Sequence, residues 1–332
     1  MAHQLEVDRD GRASFVYNQR NGNPWHTLGT PFDGGISLED ALVAARVRTA
    51  TTAPLYTMTL DGVQEVPSHQ AIVWPSLDGF STDVLGIVSK QYQMIQYRDV
   101  AELAFAVVNA KPDDCILDTM GLLYDGRKFF GYIDFGEFDV TLPDGLYDKH
   151  YKGIGFISSH DGSTPITFYK TMIRAVCNNT VTAGLANSRH VVSVKHKSNA
   201  NEYLKQVPRI LGLHYGGDEQ FTAIANQLYQ VGGQSLEKVI RKIWPLEDNP
   251  TDHAKKIWDN RFESIRELYY ADSNAGSYGN NGWSMYNTIS EYLDHHMGKS
   301  AVVRARGSIS PTSLSSERKR EAAKIILELA AA

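Results

Sequence analysis

ILDTMGLLYDGRKFFGYIDF, residues 116–135, places two apolar runs, Ile116 to Tyr124 and Arg127 to Phe135, on either side of Asp125-Gly126. Asp-Gly best satisfies a tight two-residue turn, because that turn needs positive φ and glycine reaches it without a Cβ clash. The spacing predicts an antiparallel hairpin, and a hairpin commits the surrounding chain to a sheet. A second Asp-Gly, Asp161-Gly162, separates Tyr151–Ser159 from Thr164–Tyr169 and predicts another. Working outward, Leu55–Leu60, Gln70–Trp74 and Val84–Ser89 have the length and apolar content of strands. Two helices interrupt them. Ser37 followed by Leu-Glu-Asp reads as an N-cap with an acid at N3, opening a helix through Val47, and Tyr97–Ala110 has helical periodicity.

From Tyr169 the spacing becomes helical again. Lys170, Arg174 and Asn178 stand four apart and predict one cationic stripe on a helix, with Ile173, Val176, Cys177 and Val181 facing the sheet. Val191–Lys197 then alternates as a strand, which puts Lys195 and Lys197 on one face. The last third reads as helices at Asp218–Val231, Leu236–Ile243, Thr251–Tyr270, Trp283–His296 and Ser316–Ala330. The expected fold class is α+β. An antiparallel sheet with β-hairpins and packed helices fills the N-terminal two-thirds and a helical C-terminal region follows, divided as 1–200 and 201–332.

The 332 residues exceed the usual size of a single core, and 42% hydrophobic content is enough to bury one or two. Residues 1–6 lack a basic start and an apolar stretch, and the greasiest run, Ala101–Ala110, is too short to span a bilayer. A soluble, cytoplasmic protein with no membrane partner is expected, in the host cytoplasm if phage-encoded. Two cysteines, Cys115 and Cys177, are too few for a disulfide framework and lack zinc-ligand spacing.

Charge is segregated. Gly162 to Asn201 runs forty residues without an Asp or Glu while carrying Lys170, Arg174, Arg189, Lys195 and Lys197, in a chain of formal net charge -5. A local positive field matters more to a polyanion than the global sum does. The bland alternative is a set of solvated faces. A second basic region, with Arg304, Arg306, Arg318, Lys319 and Arg320, reads either as a loop that orders on nucleic acid or as a linker. Tyr269, Tyr270, Tyr278, Trp283, Tyr286 and Tyr292 make the region before it aromatic, and burial is the commoner fate of such residues than base stacking.

Catalytic patterns are weak. His160-Asp161 lacks the further spaced ligands of a metal phosphohydrolase and reads as a turn. Asp294-His295-His296 sets adjacent histidines about 100° apart on a helix, unsuited to one ion. Cys177 sits in an Ala-Val-Cys setting that suits a helix core. Neither a phosphate loop, a dinucleotide glycine turn nor a hydrolase elbow occurs. No catalytic residue, metal or cofactor is expected.

Several phrases together resemble a family. Pro24-Trp25-His26-Thr27-Leu28-Gly29-Thr30, Leu85-Gly86-Ile87-Val88-Ser89 with Tyr92 and Ile95-Gln96, Ser159-His160-Asp161-Gly162-Ser163 and Arg174-Ala175-Val176-Cys177-Asn178-Asn179-Thr180 are similar to the phage/plasmid-like proteins named for their Leu-Gly-Thr motif, also catalogued as domain of unknown function 932. Gly282-Trp283, Asn287 and Glu291-Tyr292-Leu293-Asp294-His295 resemble that family's C-terminal block. The resemblance implies a phage, prophage or plasmid gene product. The strand, hairpin and basic-helix order is also similar, by topology alone, to phage single-strand annealing recombinases of the RecT and Red-beta kind.

The expected function is a DNA-binding recombination protein that holds and anneals single-stranded DNA in the basic groove of a homo-oligomer, ring or filament. Lys170, Arg174, Lys195 and Lys197 are the expected phosphate ligands, Asn178 and Asn179 the hydrogen-bond donors, and Arg189 the residue at the groove mouth. The alternatives are a metal-dependent nuclease using His160 and Asp161, and a host-interaction protein that counters bacterial defence.

Overall fold

A computed structural model of the chain describes residues 5–21, 28–78, 80–110, 115–174, 179–180, 191–197, 199–205, 207, 218–232, 235–297 and 314–330. Its strands are β1 (Phe15–Asn18), β2 (Thr30–Phe32), β3 (Thr51–Thr59), β4 (Gly62–Pro75), β5 (Thr82–Ser89), β6 (Ile116–Leu123), β7 (Lys128–Thr141), β8 (Tyr147–Ser159), β9 (Ile166–Arg174), β10 (Asn179–Thr180) and β11 (Val191–Val194). Its helices are α1 (Leu38–Ala44), α2 (Tyr97–Ala110), α3 (Ala200–Leu204), α4 (Asp218–Tyr229), α5 (Leu236–Ile243), α6 (Asp252–Tyr270), α7 (Ala275–Tyr278), α8 (Gly282–Glu291) and α9 (Leu314–Ala330). The fold is α+β, with antiparallel sheet and with helices concentrated toward the C-terminus. One sheet runs β10-β9-β8-β7-β6-β1-β2, with β11 also on β9, and a second runs β3-β4-β5. Only β1 and β2 pair in parallel among the registers described.

Local chemistry accounts for several boundaries. The Ser37 hydroxyl accepts the Asp40 N–H at 3.1 Å and donates to the Asp40 carboxylate at 2.6 Å, so α1 opens on the capping pair read from sequence. It closes three residues earlier than its apolar spacing implies. Arg46 takes φ 54°, and the N–H groups of Arg46 and Val47 return to Val43 O and Leu42 O, the paired bonds of a left-handed helix stop.

The β6–β7 hairpin forms where Asp125-Gly126 predicts it, but through a wider turn. Leu123 pairs with Lys128, and Tyr124, Asp125 and Gly126 all have positive φ. Gly126 is obligatory for a second reason: a Cβ there would lie 1.7 Å from Trp74 Cζ2. The runs Leu55–Leu60 and Gln70–Trp74 prove to be parts of one hairpin, β3–β4, turning at a further Asp-Gly, Asp61-Gly62.

Through Arg174 the helix expected from Tyr169 is not there, and residues 175–178 and 181 of that expectation lie outside the described residues. The backbone from Ile166 to Arg174 is strand β9, which pairs with β11 through Ile166–Tyr169 and with β10 through Ile173 and Arg174. A four-residue spacing returns a side chain to the same face in a strand as well as in a helix, since four is an even number of residues. Pairing with distant strands decides between the two.

The chain forms two compact units. One comprises Met1–Phe135, Gly153–Tyr169 and Val191–Tyr215; the other comprises Gly136–Lys152, Lys170–His190 and Gly216–Ala332. The chain passes between them within β7, β8 and β9. In the first unit, Ile72, Trp74, Leu85, Tyr97, Phe129, Phe156 and Phe168 are buried in one cluster. In the second, every residue of α8 except Glu291 is buried, and the helix packs with α4, α6 and α9. Asp148 on β8 accepts the Trp283 indole N–H at 2.8 Å and the Tyr278 hydroxyl at 3.2 Å, giving these buried donors an acceptor. After α8 the chain makes a π turn over Tyr292–His296, in which buried Asp294 meets the Lys319 ammonium at 2.6 and 2.7 Å.

Candidate functional site

The expected nucleic-acid ligands fall into three groups. Lys170 and Arg174 are in β9, and Asn179 in β10 stands directly opposite Arg174 in register. Strand pairing therefore brings Arg174 and Asn179 together by a route the helical reading did not contain. Asn178 and Arg189 lie outside the described residues, as do Cys177 and residues 24–27 of the Leu-Gly-Thr phrase. Lys195 and Lys197 follow β11 and are both exposed.

The segment that presents these two lysines is anchored by the histidine between them. The His196 ring is buried, stacks on Tyr92 at 4.6 Å and 19°, and places Nδ1 3.2 Å from Gln93 O. Its backbone carbonyl accepts the Gln93 N–H at 3.1 Å. Burial lowers the His196 pKa, opposed by the backbone of Gln93 and Thr164, which favours a neutral ring between two cationic neighbours. The Lys197 N–H returns to Lys195 O at 2.8 Å, so the strand ends here and both ammonium groups are left outside.

Behind this segment, phrases that are distant in sequence converge. The Tyr92 hydroxyl donates to Ser159 O at 2.8 Å. Gln96 is bound to Ala50 at both its carboxamide oxygen and nitrogen. Gly86 packs so closely that a Cβ would lie 2.5 Å from Asp161 Cα. His160 is the centre of this joint. Its N–H is shared between Arg127 O at 2.9 Å and the Tyr97 hydroxyl at 3.0 Å, and that hydroxyl donates to Arg127 O at 2.7 Å. The imidazole is fully buried, stacked on Tyr97 at 3.8 Å and edge-on to Trp74 at 6.3 Å. Neither ring nitrogen has a hydrogen-bond partner. Burial, with a smaller contribution from His196, pushes its pKa down to about 3 against the pull of Asp161. A neutral ring sealed from solvent cannot exchange protons with a bound substrate. Its environment is that of a packed core aromatic, although its place in a hairpin turn argued only for a turn residue.

Of the second basic region, Arg304 and Arg306 lie outside the described residues, and the described part is not a continuous cationic surface. Arg318, Lys319 and Arg320 belong to α9; Lys319 is fully buried on Asp294, and Arg318 hydrogen-bonds Ile243 O and lies 5.3 Å over the Trp244 ring. Of the six aromatics singled out in sequence, all but Tyr270 are buried. Sequence reading missed Asp148, Trp74 and Tyr97. Only an apolar setting around a polar atom marks them, and that setting comes from distant segments.

The family described as Domain of unknown function (DUF932) matches residues 84–323. The chain belongs to this family. The DUF932 region contains the Leu85–Ser89 and Ser159–Ser163 phrases that meet at His160, and the Gly282–His295 block around the buried helix α8, whereas Pro24–Thr30 precedes it. No curated protein and no solved structure matches the chain. Among the described residues no helix is long and apolar enough to cross a membrane.

Proposed function

We propose that this protein binds single-stranded DNA through the acid-free segment and serves as a phage- or plasmid-type recombination protein that anneals strands in the cytoplasm. The observation that carries the reading is the forty-residue run without a carboxylate, in which Lys195 and Lys197 are held exposed by the buried His196. Two ammonium groups on a rigid segment with no neighbouring acid in sequence suit successive phosphates of a flexible strand. Arg174 and Asn179, opposite one another across β9 and β10, supply the second pair of backbone contacts in this reading.

Self-association belongs to the same reading. What supports it is the β3–β4 hairpin, which exposes Tyr56, Met58, Leu60 and Val63, while residues 49–82 contain no Lys or Arg. A ribbon of two strands with uncovered apolar side chains gains stability when another surface covers it. A nuclease built on His160 and Asp161 is disfavoured, because the His160 ring is sealed in the core and no cluster of three metal-binding side chains occurs among the described residues.

The test is fluorescence anisotropy with matched single- and double-stranded oligonucleotides across a salt series, with EDTA present. Each phosphate contact to a single strand contributes about −0.7 to the slope of log affinity against log salt. The double variant Lys195→Ala/Lys197→Ala should therefore flatten that slope by about 1.4 and weaken binding, and Arg174→Glu should weaken binding with an unchanged circular dichroism spectrum. No binding of either oligonucleotide at low salt would sink the reading and turn attention to a host protein partner.

A further inference from the structure

The β3–β4 hairpin outruns its third strand. β5 pairs with His69–Pro75, so the stretch from Tyr56 to Glu65, through the Leu60-Asp61 turn, is a ribbon of two strands. Tyr56 to Thr59 and Gly62 to Glu65 are all exposed, so both faces of this ribbon meet solvent. Directly opposite residues share a face, which puts Tyr56, Met58, Val63 and Glu65 on one side and Thr57, Thr59 and Gln64 on the other. Met58 is 84% exposed. A ribbon of two strands is marginal in water and gains from a third. Among the described residues β3 pairs with β4 alone, which leaves its outer edge open.

The complement of an open edge is a strand, because the edge offers a row of N–H and C=O groups. Thr49 to Ser89 holds the acids Asp61, Glu65, Asp78 and Asp83 and no Lys or Arg, which disfavours a nucleic acid or an anionic lipid surface here. Natural edges exclude their own copies with a charge, above all lysine, or with proline and bulges. Pro54 and the register shift beside it protect the first half of β3, but Leu55–Thr59 carries neither a charge nor a proline. That window is its own complement. In an antiparallel pair about a two-fold axis at Thr57, Tyr56 meets the partner's Met58 on one face, and Thr57 meets the partner's Thr57 on the other. Hydrogen bonding agrees with this register. The two-residue turn makes Thr59–Gly62 and then Thr57–Gln64 the bonded rungs of the hairpin, so the N–H and C=O groups of Tyr56 and Met58 point outward. Like charges also stay apart. Glu65 and the partner's Glu65 are three strand spacings apart, about 14 Å, and Asp61 and the partner's Asp61 lie at opposite ends of the pair, both beyond the Debye length of about 8–10 Å. Parallel pairing would set the two Asp61 carboxylates side by side.

We propose that the Leu55–Thr59 edge of β3 is a homodimer contact, in which two copies of the chain join antiparallel about Thr57 and turn two marginal ribbons into one four-stranded sheet. It rests on the self-association included in the reading above and gives that association a strand register. A two-fold contact closes at two copies, so a ring or filament requires a further surface.

Light scattering of the full chain over a concentration series should reach twice the 37.0 kDa of one copy. Thr57→Lys or Thr57→Glu alone sets like charges against each other across the axis and should weaken dimerisation by at least about fivefold. An equimolar mixture of the two variants should recover the dimer, since opposite charges then face each other. In Thr57→Cys the two Cα atoms stand about 4.5 Å apart, within disulfide reach, so oxidation should give a dimer that dithiothreitol reverses. Thr52→Cys, on the far side of Pro54, and the wild type with its own two cysteines should not cross-link in this way. A wild type that stays monomeric at every concentration, no recovery on mixing, or equal cross-linking of Thr52→Cys and Thr57→Cys would overturn the pairing. Oligonucleotide anisotropy on the same samples reads DNA binding separately. Monomers that bind the single strand would remove the dimer contact and leave the DNA-binding reading standing, and dimers that bind no oligonucleotide would do the reverse.

Discussion

His160 should make the stability of this protein depend on pH in a way that one substitution removes. Folded, its ring is sealed against Tyr97 and Trp74 and pushed down to about 3 by burial; unfolded, it titrates at its ordinary value of 6.5. The unfolded chain therefore binds a proton between these values that the folded chain refuses, so stability from this group is complete above 6.5 and declines as pH falls toward 3. At pH 5 the difference is RT ln(1 + 10^1.5), about 2 kcal/mol, and it is insensitive to the folded value as long as that stays below about 4. Denaturant unfolding at pH 7.5 and 5.0, followed by tryptophan fluorescence, would measure it. In His160→Leu, of similar volume and without titrating nitrogens, the loss of stability between the two pH values should be smaller than in the wild type by about 2 kcal/mol. His196, depressed in the same direction, contributes to both proteins and cancels in the subtraction. If the two proteins lost equal stability between pH 7.5 and 5.0, His160 would not be the sealed neutral group described.

Three other perturbations test the packing. Gly86→Ala would force a Cβ to 2.5 Å from Asp161 Cα, backbone that cannot move alone, so it should lower unfolding free energy by more than about 2 kcal/mol, whereas Gly35→Ala, with open space around it, should change little; thermal melts compare the two. Lys319→Met removes the ammonium that the buried Asp294 carboxylate meets and should cost about 3–5 kcal/mol, most of it recovered in Lys319→Met/Asp294→Leu, and calorimetry of both variants separates loss of the buried charge pair from lost packing. Asp148→Ala removes the acceptor of the Trp283 indole and the Tyr278 hydroxyl, both buried, and should destabilise by about 2 kcal/mol or more with a shift in tryptophan emission; an unchanged spectrum would contradict the hydrogen bond.

Much of the element order was legible because its signals are local. A serine cap with an acid three residues on, an Asp-Gly between apolar runs and a run of 3.6-residue periodicity each act within a few residues, and α1, the β6–β7 hairpin, α2 and α5 stand where those signals put them. The candidate site was less legible. Lys170 and Arg174 share a face under either periodicity, so the spacing that suggested a helix is equally the spacing of a strand. Lys319 looked like one more cation in a basic tract because nothing adjacent to it in sequence announces Asp294.

The sequence by itself determined the α+β class, the family, the segregation of charge along the chain and the positions of most turns, since these follow from composition and from short-range backbone preferences. Tertiary structure alone decided that Lys170–Arg174 continues the strand begun at Ile166, through pairing with β10; that His160 is a sealed core ring, through Tyr97, Trp74 and the missing side chain of Gly86; and that Lys195 and Lys197 remain exposed while Lys319 does not. The physical reason is common to all three. Burial and strand pairing are set by groups far away in the chain, and a local pattern shows which residues are available for such contacts without showing which partner each one meets.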